Sequence, residues 1–406
     1  MIIQPKVRGF ICTTAHPEGC AKHVEEQIDY VKKEPQLKGP KKVLIIGAST
    51  GYGLASRIQA AFGCRAQTMG VFFEKEAEGN RTASAGWYNT AAFERAAHHE
   101  GIYAKSINGD AFSDEIKTKT IQLIQEDWQG GVDLVIYSLA SPRRRHPKTG
   151  EIFNAVLKPI GQSYRSKTID VMNGQVKEIA LEPATEQDIA QTVAVMGGED
   201  WILWMDALLN ANVLAKGVIA LAYSYIGPEL TYPIYREGTI GKAKQHLEES
   251  AHNINKKLTP LAGQAYVSVN KALVTQASAA IPVVPLYISL LYKIMKEKNR
   301  HEGCIEQISR LFHDCLYHSQ NKISVDEKGL IRLDDWEMLP EIQQEIVKRW
   351  PTLNSDNVAT ETNLSGYRQE FYRLFGFEIA GVDYTKETDP NVEIPSIEAP
   401  LGATTS

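Results

Sequence analysis

Val43-Leu44-Ile45-Ile46-Gly47-Ala48-Ser49-Thr50-Gly51-Tyr52-Gly53 is the stretch on which the fold turns. Four consecutive apolar residues suit a short strand buried on both faces, the pattern of a parallel sheet covered by helices. The glycines that follow lead into a helix predicted from Leu54 to Phe62. Glycine at three such positions lets the backbone turn tightly and come close to a pyrophosphate, whose charge is favoured at a helix N-terminus. Gly47, Ala48, Ser49, Thr50, Gly51 and Tyr52 are therefore the expected rim of a dinucleotide site.

Outward from this turn, strands and helices alternate. Strands are predicted at 66–73, 102–107 and 132–138, with a helix from about Ser113 between the last two; its first turn carries Asp114 and Glu115. Further strands are expected at 217–223 and 265–269. The expected fold is α/β, a Rossmann-type doubly wound parallel sheet with an inserted hairpin segment and a C-terminal helical extension. Its divisions are an N-terminal extension (1–41), a core (42–300) with an insertion at about 143–200, an extension (301–386) and a tail (387–406). The insertion carries the turn signals Lys148-Thr149-Gly150 and Asn173-Gly174, and a tryptophan-bearing helix follows them (Trp201, Trp204). One hairpin is predicted around Asp326-Glu327-Lys328-Gly329. The tail, rich in Pro, Glu, Ser and Thr, is expected to run loose. No internal repeat is visible.

The spacing G-x-x-x-G-x-G resembles that of the short-chain dehydrogenase/reductase superfamily. Glu74 closes the second strand 21 positions beyond Gly53, where an acidic side chain can hold ribose hydroxyls. A carboxylate there repels a 2′-phosphate, which favours NADH over NADPH, although Lys75 beside it tolerates the phosphate. Asp110-Ala111 and Ser138-Leu139-Ala140 end the next two strands and should face the same crevice, toward adenine and nicotinamide ribose respectively.

Composition narrows the class. The chain has 406 residues, 43% of them hydrophobic and 23% charged, which suits a folded protein with a large core. A net charge of −5 argues against bulk nucleic-acid binding. The five cysteines are scattered and odd in number, as expected in a reducing cytoplasm, and no secretory leader is read at the start. Ala272 to Tyr292 lacks any charge, but Pro282, Pro285 and Gln276 make it a loop and core helix rather than a membrane span.

A second constellation lies beyond the fifth strand. Tyr232-Pro233-Ile234-Tyr235 precedes a helix carrying Lys242 and Lys244. Ala243, Leu247, Ala251, Ile254 and Leu258 mark that helix's apolar face; Lys244 lies roughly 60° from Leu247 and Lys242 roughly 140° away. Lys244 should face inward and Lys242 the solvent. A tyrosine hydroxyl whose pKa is lowered by a nearby ammonium can serve the oxyanion formed when an enoyl thioester takes hydride at its β-carbon.

With Ala222-Tyr223-Ser224-Tyr225-Ile226-Gly227 ahead of Tyr235-x8-Lys244 and the glycine turn further upstream, the chain resembles the FabV-type trans-2-enoyl reductases. Val7-Arg8-Gly9-Phe10-Ile11-Cys12, Gly70-Val71-Phe72-Phe73-Glu74, Ser106 to Phe112 and Gly376-Phe377 extend the likeness to about Tyr384. The resemblance implies NADH-dependent reduction of trans-2-enoyl thioesters on acyl carrier protein or coenzyme A, in fatty-acid synthesis, by a cytoplasmic monomer. It also implies Tyr235 as proton donor, Tyr225 at the substrate, and Lys244 with Phe73 and Leu273-Val274-Thr275 at the cofactor. Ile281 to Leu291 reads either as a wall for the acyl chain or as plain core.

Other signals are weaker. Cys12, His16, Cys20 and His23 do not have a usual zinc spacing, and no metal is expected. His313 and Cys315 point apart on a helix. Arg143-Arg144-Arg145 reads as a solvated loop, or as a contact for the phosphates of coenzyme A or an acidic carrier. A carbonyl reductase of the short-chain type would need Tyr-x-x-x-Lys, absent between Tyr223 and Tyr235. A non-catalytic NADH sensor would have no use for the Tyr235–Lys244 pair.

Overall fold

The computed structural model describes residues 1–318 and 323–397. Its centre is a seven-stranded sheet of β1 (Lys42–Ile46), β2 (Gln67–Phe72), β3 (Ala104–Asn108), β4 (Val132–Tyr137), β5 (Leu214–Ser224), β6 (Gln264–Val269) and β7 (Leu330–Arg332). All neighbours run parallel, in the order β3-β2-β1-β4-β5-β6-β7, so the order reverses beside β1. A ligand site in such a sheet lies at the carboxyl ends of the strands, at that reversal. The apolar run of β1 explains its central place. Leu44 and Ile46 join the cluster on one face, Val43 and Ile45 the cluster on the other, and none is exposed.

Helices cover both faces. The ones that matter here are α1 (Pro17–Lys33), α2 (Gly51–Ile58), α3 (Ala85–His99), α4 (Asp114–Asp127), α5 (Glu186–Met196), α6 (Glu199–Asn210), α7 (Thr239–Leu258) and α8 (Val284–Glu297). Ser113 caps α4 by accepting from the Ile116 N–H, and its acidic first turn suits the helix dipole. The insertion forms two antiparallel hairpins, Arg143–Arg145 with Ile152–Asn154 and Tyr164–Asp170 with Gln175–Leu181, as the turn residues foretold. No helix among the described residues is long and apolar enough to cross a membrane.

Four expectations need correction. The turn at Asp326–Gly329 does not close a hairpin; it leads into β7, which adds in parallel to β6 through Val267–Leu330. The segment after residue 300 is therefore not purely helical, because it supplies the sheet's edge strand. The stretch 387–397 does not run loose. Trp87 Nε1 and Tyr88 Oη donate to the carbonyls of Val392 and Pro390, and Ser396 is bonded to Glu94, so α3 ties it down. Residues 398–406 of the expected tail lie outside the described residues. Finally, Arg144 is not part of a solvated loop. It is a strand residue, buried, and its guanidinium bonds Glu199 and the Ala194 carbonyl over the Phe112 ring, while Arg143 and Arg145 alternate outward.

A third apolar cluster joins α8 to Ile342, Tyr367 and Phe371 of the C-terminal helices and to Phe377 beyond the last of them, and includes Tyr235, Leu273 and Val274. Leu286, Ile288, Leu290 and Leu291 are fully buried in it. The segment from Ile281 to Leu291 is thus largely plain core.

Candidate active site

At the carboxyl end of β1, Gly47 adopts φ +91° and Gly51 φ +53°, conformations that L side chains rarely adopt. A Cβ on Gly53 would collide with the Gly47 carbonyl, and one on Gly47 with the Ser138 carbonyl at the end of β4. Gly51 by contrast meets open space, its nearest neighbour being Thr275 Cγ2 at 3.9 Å. This open backbone, at the start of α2, fits the approach of a pyrophosphate. Thr275 also accepts from the Ser278 N–H, so it holds its place by capping a short helix, Gln276–Ala279. The glycine turn and Leu273-Val274-Thr275 therefore meet, although more than 200 residues separate them in sequence.

Glu74 stands one strand over, just beyond β2. Ser49 Oγ donates to its Oε1 at 2.7 Å, and its backbone pairs twice with the Asn108 side chain. Gly86 in α3 leaves room for the carboxylate, where any Cβ would clash. Burial pushes its pKa up, against the pull of Ser49 and Ser84. Phe73 next to it is 77% exposed, a bare aromatic face at the crevice rim. Asp110 Oδ1 accepts from the Phe112 N–H, while the Ala111 carbonyl turns inward to Trp204 Nε1 and Lys117 Nζ. Ser138 donates its N–H to Ile46, and Leu139 and Ala140 continue outward from β4. The Tyr52 hydroxyl is turned away from the turn, 2.8 Å from the Lys271 carbonyl and 2.7 Å from Gln307 Oε1.

The two tyrosines singled out in sequence come together. Tyr225 follows β5; Tyr235 ends the short helix Tyr232–Tyr235, which Pro233 helps to start. Their rings pack edge to face, with centroids 4.7 Å apart and planes at 86°. The Tyr225 hydroxyl donates to Glu337 Oε1 at 2.9 Å, and no group among the described residues hydrogen-bonds the Tyr235 hydroxyl. Tyr235 is buried, only 6% exposed.

Lys244 and Lys242 separate as the helix phase requires. Lys244 is half-buried, with its pKa lowered to about 8 by burial and Glu248 opposing, whereas Lys242 is exposed and reaches Gln245. The expected lowering of a tyrosine pKa by this ammonium is not found. Burial first, then Glu337 and Tyr367, push the Tyr235 hydroxyl well up, so it keeps its proton.

Sequence reasoning missed Glu337, Tyr287 and Lys271. Glu337 is completely buried; its Oε1 accepts from Tyr225 and from Tyr287 (2.6 Å), and its Oε2 from the Ala272 N–H (2.7 Å). Lys271 is 2% exposed and its pKa is lowered by burial to about 8; its Nζ bonds the Ala272 and Glu302 carbonyls over the Tyr292 ring. In sequence Glu337 sits in Asp334-Asp335-Trp336-Glu337, which looks like a solvated acidic turn. Nothing local marks it as buried.

Residues 2–79 match the family model described as "NAD(P)H binding domain of trans-2-enoyl-CoA reductase", and residues 81–317 the "Trans-2-enoyl-CoA reductase catalytic region". Residues 325–388 match an "Enoyl reductase FAD binding domain", although this segment has no strand–glycine turn–helix unit of the kind at Gly47–Gly53. An enoyl-[acyl-carrier-protein] reductase [NADH] of Coxiella burnetii is 66% identical over 98% of both chains. A trans-2-enoyl-CoA reductase [NADH] of Ruminiclostridium cellulolyticum is 60% identical over 98% of this chain and all of its own. The crystal structure of the Treponema denticola trans-2-enoyl-CoA reductase in complex with NAD is similar at a TM-score of 0.92, with 49% identity, over 96% of this chain and 98% of that one. With two family models meeting in the loop between β2 and α3 and relatives matched end to end, the chain belongs to the FabV-type trans-2-enoyl reductase family.

Proposed function

We propose that this protein reduces the carbon–carbon double bond of trans-2-enoyl thioesters, carried on acyl carrier protein or coenzyme A, to the saturated acyl thioester in fatty-acid synthesis. NADH, when bound, supplies the hydride for the β-carbon. Gly47, Gly51 and the start of α2 would hold its pyrophosphate, Glu74 the adenosine ribose, and Asp110-Ala111 the adenine edge. Ser138-Leu139-Ala140, Lys244 and Leu273-Val274-Thr275 would hold the nicotinamide half.

The observation that carries the chemical assignment is the contrast between the two tyrosines. The Tyr225 proton is engaged by Glu337, whereas the Tyr235 hydroxyl is protonated and unpaired, ready to donate where charge develops. Tyr235 thus serves the thioester oxygen and delivers the proton that, with the hydride, saturates the bond; solvent replaces it. Tyr225 positions the thioester with its ring. Lys244, a half-buried cation without an ion-pair partner among the described residues, orders the cofactor side. Five unpaired thiols support a reducing, cytoplasmic setting, and we propose that the protein acts there as a monomer.

The test is NADH oxidation, followed by absorbance, with crotonyl-CoA and with crotonyl-acyl-carrier-protein, and with the saturated product identified by mass. Oxidation of NADH with neither substrate would refute the enoyl-thioester assignment, as would a product reduced at the carbonyl. Light scattering at working concentration checks the monomer.

A further inference from the structure

We infer that Glu337 is a positioning residue for this reduction, a fully buried carboxylate that clamps Tyr225 so that its ring sets the place of Tyr235. The inference rests on the reading of Tyr235 as donor. Four observations lead to it. Glu337 is 0% exposed and accepts three hydrogen bonds, from the hydroxyls of Tyr225 and Tyr287 on one oxygen and from the Ala272 N–H on the other. Those donors come from three separate pieces of the chain: the end of β5, the core helix α8, and the segment leading into Leu273-Val274-Thr275. The carbonyl of Glu337 itself accepts from Gln343 Nε2 at 2.7 Å, and that amide also approaches the Tyr287 hydroxyl at 3.4 Å. Tyr225, so held, packs edge-on against Tyr235 at 4.7 Å, and Tyr235 has no hydrogen bond of its own among the described residues.

The physical argument concerns orientation. An unpaired tyrosine hydroxyl is aimed only by what its ring packs against. Here one neighbour is a ring whose far end is anchored by a charge-capable acceptor that is itself fully buried. A buried acceptor bonded to several donors resists displacement, because each donor left unpaired costs its own desolvation. The same carboxylate fixes the backbone at Ala272, one residue before the segment expected at the cofactor. Glu337 therefore ties the substrate-side tyrosine and the nicotinamide-side segment to one point, and that point lies in the C-terminal extension beyond β7. A carboxylate is needed rather than an amide: a Gln that keeps the Ala272 N–H on its one oxygen turns its NH2 to the two tyrosines, whose hydroxyls must then accept instead of donate, so the clamp's polarity is reversed and their protons are released.

The test uses the full chain with NADH and crotonyl-CoA, with kcat normalised to the sites that bind NADH by fluorescence. Glu337→Gln should lower kcat about tenfold while KM for NADH and the NADH-binding stoichiometry stay within about twofold, a loss in the reacting geometry rather than in binding. In a Tyr225→Phe background, where there is no hydroxyl to clamp, the same change should cost less than about threefold, and the pair should be coupled in melting temperature as well. Equal losses in the two backgrounds, or an undiminished kcat in folded Glu337→Gln, would overturn the inference. Should Glu337→Gln not fold, Tyr287→Phe carries the test. It removes one donor and frees the carboxylate to shift, and should lower kcat about threefold with KM unmoved; unchanged kcat there overturns the clamp. Tyr235→Phe measured alongside separates the two readings. An active Tyr235→Phe removes the donor assignment on which the clamp depends, whereas an inactive Tyr235→Phe with full activity in Glu337→Gln removes the clamp alone.

Discussion

The two halves of the crevice are built in opposite ways. On the proposed cofactor side, most contacts are short in sequence, Gly47 to Gly53 in one turn, then Ser49 to Glu74 and Glu74 to Asn108 across neighbouring strand ends, with Thr275 beside Gly51 the long-range exception. On the proposed reductive side, Tyr225, Tyr235, Tyr287 and Glu337 span more than a hundred residues and meet around one buried carboxylate. The first half follows from backbone sterics and could be copied between proteins as a motif. The second depends on a C-terminal extension adding β7 and folding back over the strand ends. Damage should therefore be of different kinds: lost binding on the one side, lost turnover with intact binding on the other.

Tyr235→Phe breaks the comparison most sharply. Removing the donor should cost on the order of 10²–10³ in kcat, with NADH affinity kept, because the contact strengthens only as charge develops. Tyr225→Phe should be milder. If Tyr225→Phe were dead and Tyr235→Phe nearly normal by steady-state kinetics, the two roles would have to be exchanged.

Next in size comes Lys244→Met, which should lower kcat/KM on the order of 10²-fold while Lys242→Met stays within about threefold. Only Lys244 lies on the inward face. Equal losses in the two variants would break the helix-phase argument.

Glu74→Ala should act on binding alone. Its KM for NADH should rise about tenfold, the cost of a lost charged hydrogen bond, and discrimination against NADPH should relax. An unchanged NADH/NADPH ratio in initial rates would take the ribose away from Glu74.

The smallest effect concerns pH. Burial lowers the Lys244 pKa to about 8, so its charge is present below that pH and lost as pH rises through it. KM for NADH should therefore climb above about pH 8 in the wild type. Lys271 shares this range, and Lys244→Arg distinguishes the two: a climb that persists in Lys244→Arg belongs to another group.

How much of this was readable in advance varies along the chain. The order of β1 to β4 and the glycine turn follow from apolar runs and glycine spacing, which act over a few residues. The strand limits differed slightly, as at β5, which begins at Leu214 rather than Gly217. The same local view misjudged the Asp326–Gly329 turn, because a turn signal does not say whether the next strand pairs backward or joins a distant parallel edge. It misjudged 387–397 as well, where polar composition hid the bonds to Trp87, Tyr88 and Glu94.

By itself, then, the amino-acid sequence determined the doubly wound α/β core, the glycine turn at the carboxyl end of β1, a carboxylate at the end of β2 and the inward phase of Lys244. These depend on periodicity and on backbone conformations that only some residues adopt. Tertiary structure alone decided which of Tyr225 and Tyr235 has no hydrogen bond to its hydroxyl among the described residues, that the pKa of Tyr235 rises rather than falls, and that Glu337 meets Tyr225. Hydrogen bonding and desolvation depend on neighbours brought in from far along the chain. A glutamate beside two aspartates looks solvated until β7 adds to the sheet edge and the C-terminal helices close over it.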